Sequence, residues 1–245
     1  MKRAAFILAV IAALALGRPL LRPAPLREGA AFSRAVYARD GRLLRLTLSA
    51  DGKYRLWLPL NEVSPLLVEA TMLNEDRRFR LHPGVDPASL LRSAWTTYGA
   101  RTRRRGGSTI TMQLARLKYG LDSSRPSGKA VQILRALQLE LFNSKDEILE
   151  AYLNLAPYGG NIEGAGAASL VYFGKDAARL DLTEALTLAV IPQNPLQRAM
   201  TDAGKANRRA LREARLRLFA RWIAKHPEVA SRGAALEAPW AVRGP

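Results

Sequence analysis

Residues Glu75 to Asp86 read EDRRFRLHPGVD. Two adjacent acids are followed by two arginines, a phenylalanine, one of the chain's two histidines and a Pro-Gly turn. A solvated helix end needs none of the last three features. An acid held next to cations and aromatic side chains is also a candidate proton acceptor, because a general base must sit within hydrogen-bond reach of the proton it takes. The stretch therefore reads either as a helix end or as a site in which Glu75 is a catalyst. Asp86-Pro87 closes it, with an N-cap followed by proline at the first helical position.

The period on either side decides the fold class. After Pro59 the apolar pattern is helical to the end of the chain. Ser144 with Glu147, and Asp181 with Glu184, read as capping boxes at two helix starts. Gly120 would end a helix that begins near Ser108. Before Pro59, SRAVYARDGRLLRLTLSADGKYRLWL (residues 33–58) alternates around Asp40-Gly41 and Asp51-Gly52 and predicts a small three-stranded meander. Residues 205–225, KANRRALREARLRLFARWIAK, predict a basic helix. Its Leu211, Leu216, Leu218 and Trp222 would rest on a core or on lipid.

Composition limits the function. Apolar residues are 48% of 245, enough for a core. Lys and Arg number 38 against 21 acids, and the net charge of +17 points to an anionic partner. The absence of cysteine excludes disulfides and thiolate chemistry, and two histidines exclude a His-rich metal site. Met1-Lys2-Arg3 precedes the apolar run AAFILAVIAALALG, which ends at Gly17 before Arg18. That order reads as a signal sequence or a membrane anchor. Either one places the chain beyond residue 25 outside the cytoplasm, which opposes a nucleic-acid partner and favours the outer face of an anionic membrane. Arg22-Pro23-Ala24-Pro25 is a linker.

Two further stretches carry chemistry. RTRRRGGSTIT (residues 101–111) joins an arginine cluster to a glycine pair and a run of hydroxyls at a helix start. Free backbone N–H groups and the helix dipole suit such a place to phosphate. The P-loop spacing is absent, and a basic loop with an ordinary Ser/Thr cap explains the residues equally well. In GKAVQILRALQLELF (residues 128–142), Lys129, Gln132, Ala136 and Glu140 share one helix face. That face would line a cleft or form a solvated stripe. Gly164-Ala165-Gly166 follows no strand and reads as close helix packing rather than a dinucleotide loop.

Taken together, EDRRFRLHPG, GGSTITMQ, GKAVQILRALQLE, EILEAYLNLAPYGGNIEGAGAASLVYFGK and LTEALTLAVIPQNP resemble, in order, the five motifs of family 51 peptidoglycan glycosyltransferases. The resemblance spans about Asn61 to Leu196 and is strongest to the glycosyltransferase half of class A penicillin-binding proteins of the 1C type. It implies a mainly α, lysozyme-like domain with a small N-terminal β-meander and an N-terminal transmembrane anchor. The expected division is 1–24 anchor and linker, 25–60 meander, 61–200 glycosyltransferase domain and 201–245 basic helix and truncated linker. The expected location is the bacterial inner membrane, single-pass, with the domain on the periplasmic face.

The implied reaction polymerises lipid II into glycan strands with release of undecaprenyl pyrophosphate. By motif position Glu75 is the general base. Asp76, Phe79 and His82 shape its side of the site. Arg92, Arg116 and Lys129 face the pyrophosphate, and Ser108, Thr109, Thr111 and Gln113 line the cleft. Glu140 is structural. Two positions depart from the family pattern: Met112 stands for the usual first glutamine of a Gln pair, and Gln132 for a glutamate. A divalent cation, Mg²⁺ or Mn²⁺, is expected only with the substrate pyrophosphate, because an uncharged Gln132 makes a poor ligand. Expected partners are lipid II, the nascent strand, an anionic membrane and cell-wall synthesis proteins or a separate transpeptidase. Moenomycin, which mimics the donor in that family, is expected to bind. No S-x-x-K or K-T-G occurs, so no transpeptidase activity is expected from a chain that reads as a shortened product or a fragment. The alternatives are a lytic transglycosylase or muramidase, which would want a second carboxylate ~5 Å from the first, and an inactive membrane-bound scaffold.

Overall fold

A computed structural model describes residues 22–40, 43–95, 107–200 and 205–229. The apolar run at the N-terminus, the Arg101–Arg105 cluster, Gly41 of the first Asp-Gly pair and the C-terminal tail from residue 230 lie outside the described residues.

The meander is smaller than predicted. β1 (Ala35–Tyr37) and β2 (Leu43–Leu46) pair antiparallel. The Asp51-Gly52 turn forms, with Gly52 at φ +74° and its N–H donating to the Ser49 carbonyl. The third strand, β3 (Tyr54–Arg55), does not return to this ribbon. It pairs in parallel with β5 (Ile162–Glu163), which is antiparallel to β4 (Pro157–Gly159). The cause is electrostatic. Arg55 is buried, and a buried guanidinium needs a carboxylate partner. Glu163 on β5 provides it, accepting from Arg55 Nε at 3.0 Å and Nη2 at 2.5 Å, and it also pairs with Lys53.

The remainder is helical: α1 (Pro65–Glu75), α2 (Pro87–Ala94), α3 (Ile110–Tyr119), α4 (Pro126–Phe142), α5 (Lys145–Leu155), α6 (Ala165–Phe173), α7 (Leu182–Val190), the short α8 (Pro195–Arg198) and α9 (Lys205–Lys225). Both capping boxes form, at Ser144 and at Asp181. Gly120 ends α3 in the left-handed region. Gly164-Ala165-Gly166 is a packing device, since a Cβ on Gly166 would lie 2.8 Å from the Leu58 side chain and one on Gly164 2.7 Å from the Asn154 carbonyl.

One hydrophobic core joins these helices, and α1 packs along α7. The basic helix α9 lies across α1, α7 and α8. Leu211, Ala214, Leu218, Phe219 and Trp222 enter the core, so the described part of this helix is seated on protein. Its Arg217 and Arg221 remain exposed at the end of α1, where Glu75 is the last helical residue. α4 lies along α3, and the face bearing Lys129, Gln132, Ala136 and Glu140 meets that helix instead of solvent.

Candidate active site

Glu75 is half-buried at the C-terminal end of α1. Gln113 Nε2, from α3, donates to Glu75 Oε2 at 2.8 Å, and Asn74 Nδ2 donates to Oε1 at 2.9 Å. Tyr152, fully buried on α5, approaches Gln113 Oε1 at 3.5 Å. Burial pushes the Glu75 carboxyl above its ordinary value of 4.5. The amides of Gln113 and Asn74, the Arg198 charge and the Gln193 amide oppose that rise without cancelling it. Burial raises the phenols of Tyr152 and Tyr158 as well, and the charge of Glu75 adds to it.

This carboxylate opens into a cavity of about 890 Å³. Among the described residues, Arg77, Arg92, Arg116, Arg198, Arg217 and Arg221 line it, and Glu75 is the one acid that does. A smaller cavity of about 300 Å³ continues past Glu75 towards Asp76, Ser108 and Thr109. A chamber with one carboxylate among guanidinium groups is suited to an anionic ligand from which a proton must be taken.

Ser108 lines both cavities. Behind it, half-buried Lys129 donates to Ser108 Oγ at 2.8 Å and to Gln132 Oε1 at 2.9 Å. Burial, and then the Arg116 charge, lower the Lys129 pKa. Gln132 is only 1% exposed, and its Nε2 donates to the Met112 carbonyl at 2.6 Å. The two departures from the family pattern thus touch each other. An amide is the side chain that can accept from Lys129 and donate to a carbonyl at once.

The other predicted residues build the wall. Buried His82 places Nε2 3.0 Å from both oxygens of Asp76, and Asp76 Oδ2 accepts from the backbone N–H of Ile110 at 3.1 Å. Asp76 and His82 therefore hold the first turn of α3 beside Glu75. Phe79 is in the core, edge-on to His82 and beneath the Lys145 ammonium. Thr109 caps α3, accepting from the Met112 N–H and donating to the Gly84 carbonyl. Thr111 was expected in the cleft. It is fully buried, and its hydroxyl donates to Glu140, because its place on α3 turns it towards α4. Glu140 also accepts from Lys145 Nζ at 2.7 Å, joining α3, α4 and α5. Arg92 and Arg116 are exposed on the cavity wall.

Sequence reasoning missed Asn74, Arg77, Gln193, Arg198, Arg217 and Arg221 as site residues. Arg217 and Arg221 stand one helical turn apart on α9, a spacing visible in the sequence. Gln193 lies in the quoted VIPQNP turn. Arg198 carried no signal. It is fixed by donating to the Val190 carbonyl at 2.8 Å and to Gln193 Oε1 at 3.1 Å. Among the described residues no group of three or more His, Cys, Asp and Glu could hold a metal ion.

The raised Glu75 carboxyl has a consequence for stability. The unfolded chain releases this proton at a lower pH than the folded protein does. Stability therefore falls as pH climbs from the ordinary glutamate range through the raised value. Glu75→Gln removes that penalty. The variant is expected to melt a few °C above the parent at pH 7, with the gap closing below about pH 4. Melting curves across that range check it, and equal curves at pH 7 would contradict it.

A model of the transglycosylase family matches residues 40–218. Penicillin-binding protein 1C of Escherichia coli (strain K12) is 47% identical over 181 residues, 73% of this chain and 23% of that protein. A biosynthetic peptidoglycan transglycosylase of Rhizobium etli is 35% identical over 167 residues, covering 68% of this chain and 71% of its own. A crystal structure of penicillin-binding protein 1A from Haemophilus influenzae aligns with 88% of this chain and 22% of its own, at 19% identity and a TM-score of 0.48. The chain thus spans less than a quarter of the penicillin-binding proteins it matches.

Proposed function

Since this chain belongs to the transglycosylase family, we propose that it is a peptidoglycan glycosyltransferase that polymerises lipid II. The observation that carries the reading is Glu75, the one acid among the described residues of a chamber lined by arginines, with an amide donor on each of its oxygens. The 4-hydroxyl of the acceptor sugar gives its proton to Glu75 as its oxygen bonds to C1 of the donor's terminal sugar. The bond from C1 to the pyrophosphate oxygen breaks, and undecaprenyl pyrophosphate leaves with the electron pair. Burial raises the basicity of Glu75, bringing it closer to the operating pH.

The leaving group carries its negative charge into the field of Arg116, Arg198, Arg217 and Lys129. Fixed cations in a partly dry cavity stabilise developing charge more than water does. Any Mg²⁺ or Mn²⁺ enters with the pyrophosphate. Gln132 is uncharged and engaged on both sides, and Asp76 is occupied by His82 and the Ile110 N–H.

The apolar run from Ala4, continued past Arg18 to Leu20-Leu21 towards the ~20 residues a spanning helix needs, serves as the anchor, with the catalytic domain on the outer face of the bacterial inner membrane. Lipid II and the growing strand are then presented at an anionic surface that the +17 chain favours. Cell-wall synthesis proteins, a transpeptidase among them, would act on the strands it makes.

Moenomycin, a phosphoglycolipid, tests the donor side. At 100 times its Kd it is expected to stabilise the protein by about 2.7 kcal/mol, and much less so in an Arg116→Ala, Lys129→Met variant. An unchanged melting temperature in the parent protein would count against the reading.

A further inference from the structure

We propose that Asn74 is a positioning residue for Glu75, tying its carboxylate to the C-terminal end of α7. A primary amide has two N–H hydrogens. Asn74 uses one on Glu75 Oε1 at 2.9 Å and the other on the Ala189 carbonyl at 3.0 Å. Ala189 lies in the last turn of α7, where carbonyls have no partner within the helix. Asn74 therefore satisfies an orphan carbonyl and the reactive side chain with one group.

Glu75 needs such a restraint. It is the last residue of α1, and the next residue leaves the helix at φ −159°. A glutamate there has free side-chain torsions and no following turn to pack against. Gln113 holds Oε2 from α3, and Asn74 holds Oε1 from α1 itself. The same end of α7 anchors Arg198 through the Val190 carbonyl, and Gln193 Nε2 approaches the Asn74 carbonyl at 3.5 Å. One helix terminus thus sets both the carboxylate and the guanidinium that offsets its burial. Neutral amides do this without adding a second titrating group.

The inference rests on Glu75 as the general base. The test is a comparison of the parent with Asn74→Ala and Asn74→Leu, the latter keeping bulk without donors. The Glu75 carboxyl is titrated directly by carbon NMR on labelled glutamate, its signal assigned by loss in Glu75→Gln. The pH profile of kcat/KM on lipid II is measured beside it. Both variants are expected to move the Glu75 titration and the acid limb of the profile to higher pH together. They should lower kcat about tenfold with KM little changed. A titration and acid limb that stay put in a folded variant would overturn the inference and leave only an α7 cap. A titration that moves in a protein that makes no polymer would keep the positioning role and overturn glycosyl transfer instead.

Discussion

Glu75→Gln is expected to slow polymer formation from lipid II by about 10²–10⁴-fold, with KM little changed. The substitution keeps the side chain's size: Asn74 can still donate to the amide oxygen, and Gln113 can accept from the amide nitrogen by turning its own amide. What it removes is the one carboxylate among the described residues lining the main cavity. Asp76 cannot take over. Its oxygens are engaged by His82 and the Ile110 N–H, and the same bonds hold α3 in place. Because Glu75→Gln is also expected to melt above the parent, loss of activity and loss of fold separate cleanly. Polymer formation within threefold of the parent rate would mean that proton transfer runs through another group.

Lys129→Met is expected to cost about 10²–10³-fold in kcat, the scale found when one preorganised donor to a developing charge is removed. The ammonium reaches the chamber through Ser108 Oγ, so its loss also frees that hydroxyl from its donor. Gln132 Oε1 would lose its partner in a place where water does not reach, adding a stability cost of about 1–3 kcal/mol. Lys129→Arg keeps the charge and separates the two effects. It should retain more activity than the methionine variant even where both melt early. Equal kcat in Lys129→Met and the parent would remove this side chain from the pyrophosphate side.

What the sequence made legible was local. Capping residues act within one turn of themselves, so Asp86, Ser144 and Asp181 could be read in place. The helical period after Pro59 gave the mainly α class. The strand order was not legible, because β3 is drawn to β5 by an ion pair between Arg55 and Glu163, which no local pattern records. In the site, EDRRFRLHPG and GGSTITMQ marked Glu75 and Gln113, and the structure joins them through one hydrogen bond. The face bearing Lys129 and Gln132 left a cleft and a solvated stripe open. The structure turns it onto α3, so Gln132 acts through Lys129 and Met112 without lining the cavity. Arg198 and Asn74 had no signal, since each acts through the end of α7, a junction made only by packing α1 along α7.

The most direct measurement is resolution by gel of the products formed from labelled lipid II by the folded parent protein. A ladder that lengthens with time, with release of undecaprenyl pyrophosphate and no ladder from Glu75→Gln, is the predicted result. Lipid II left untouched across detergents and divalent cations, or shortening of added glycan strands in its place, would contradict it.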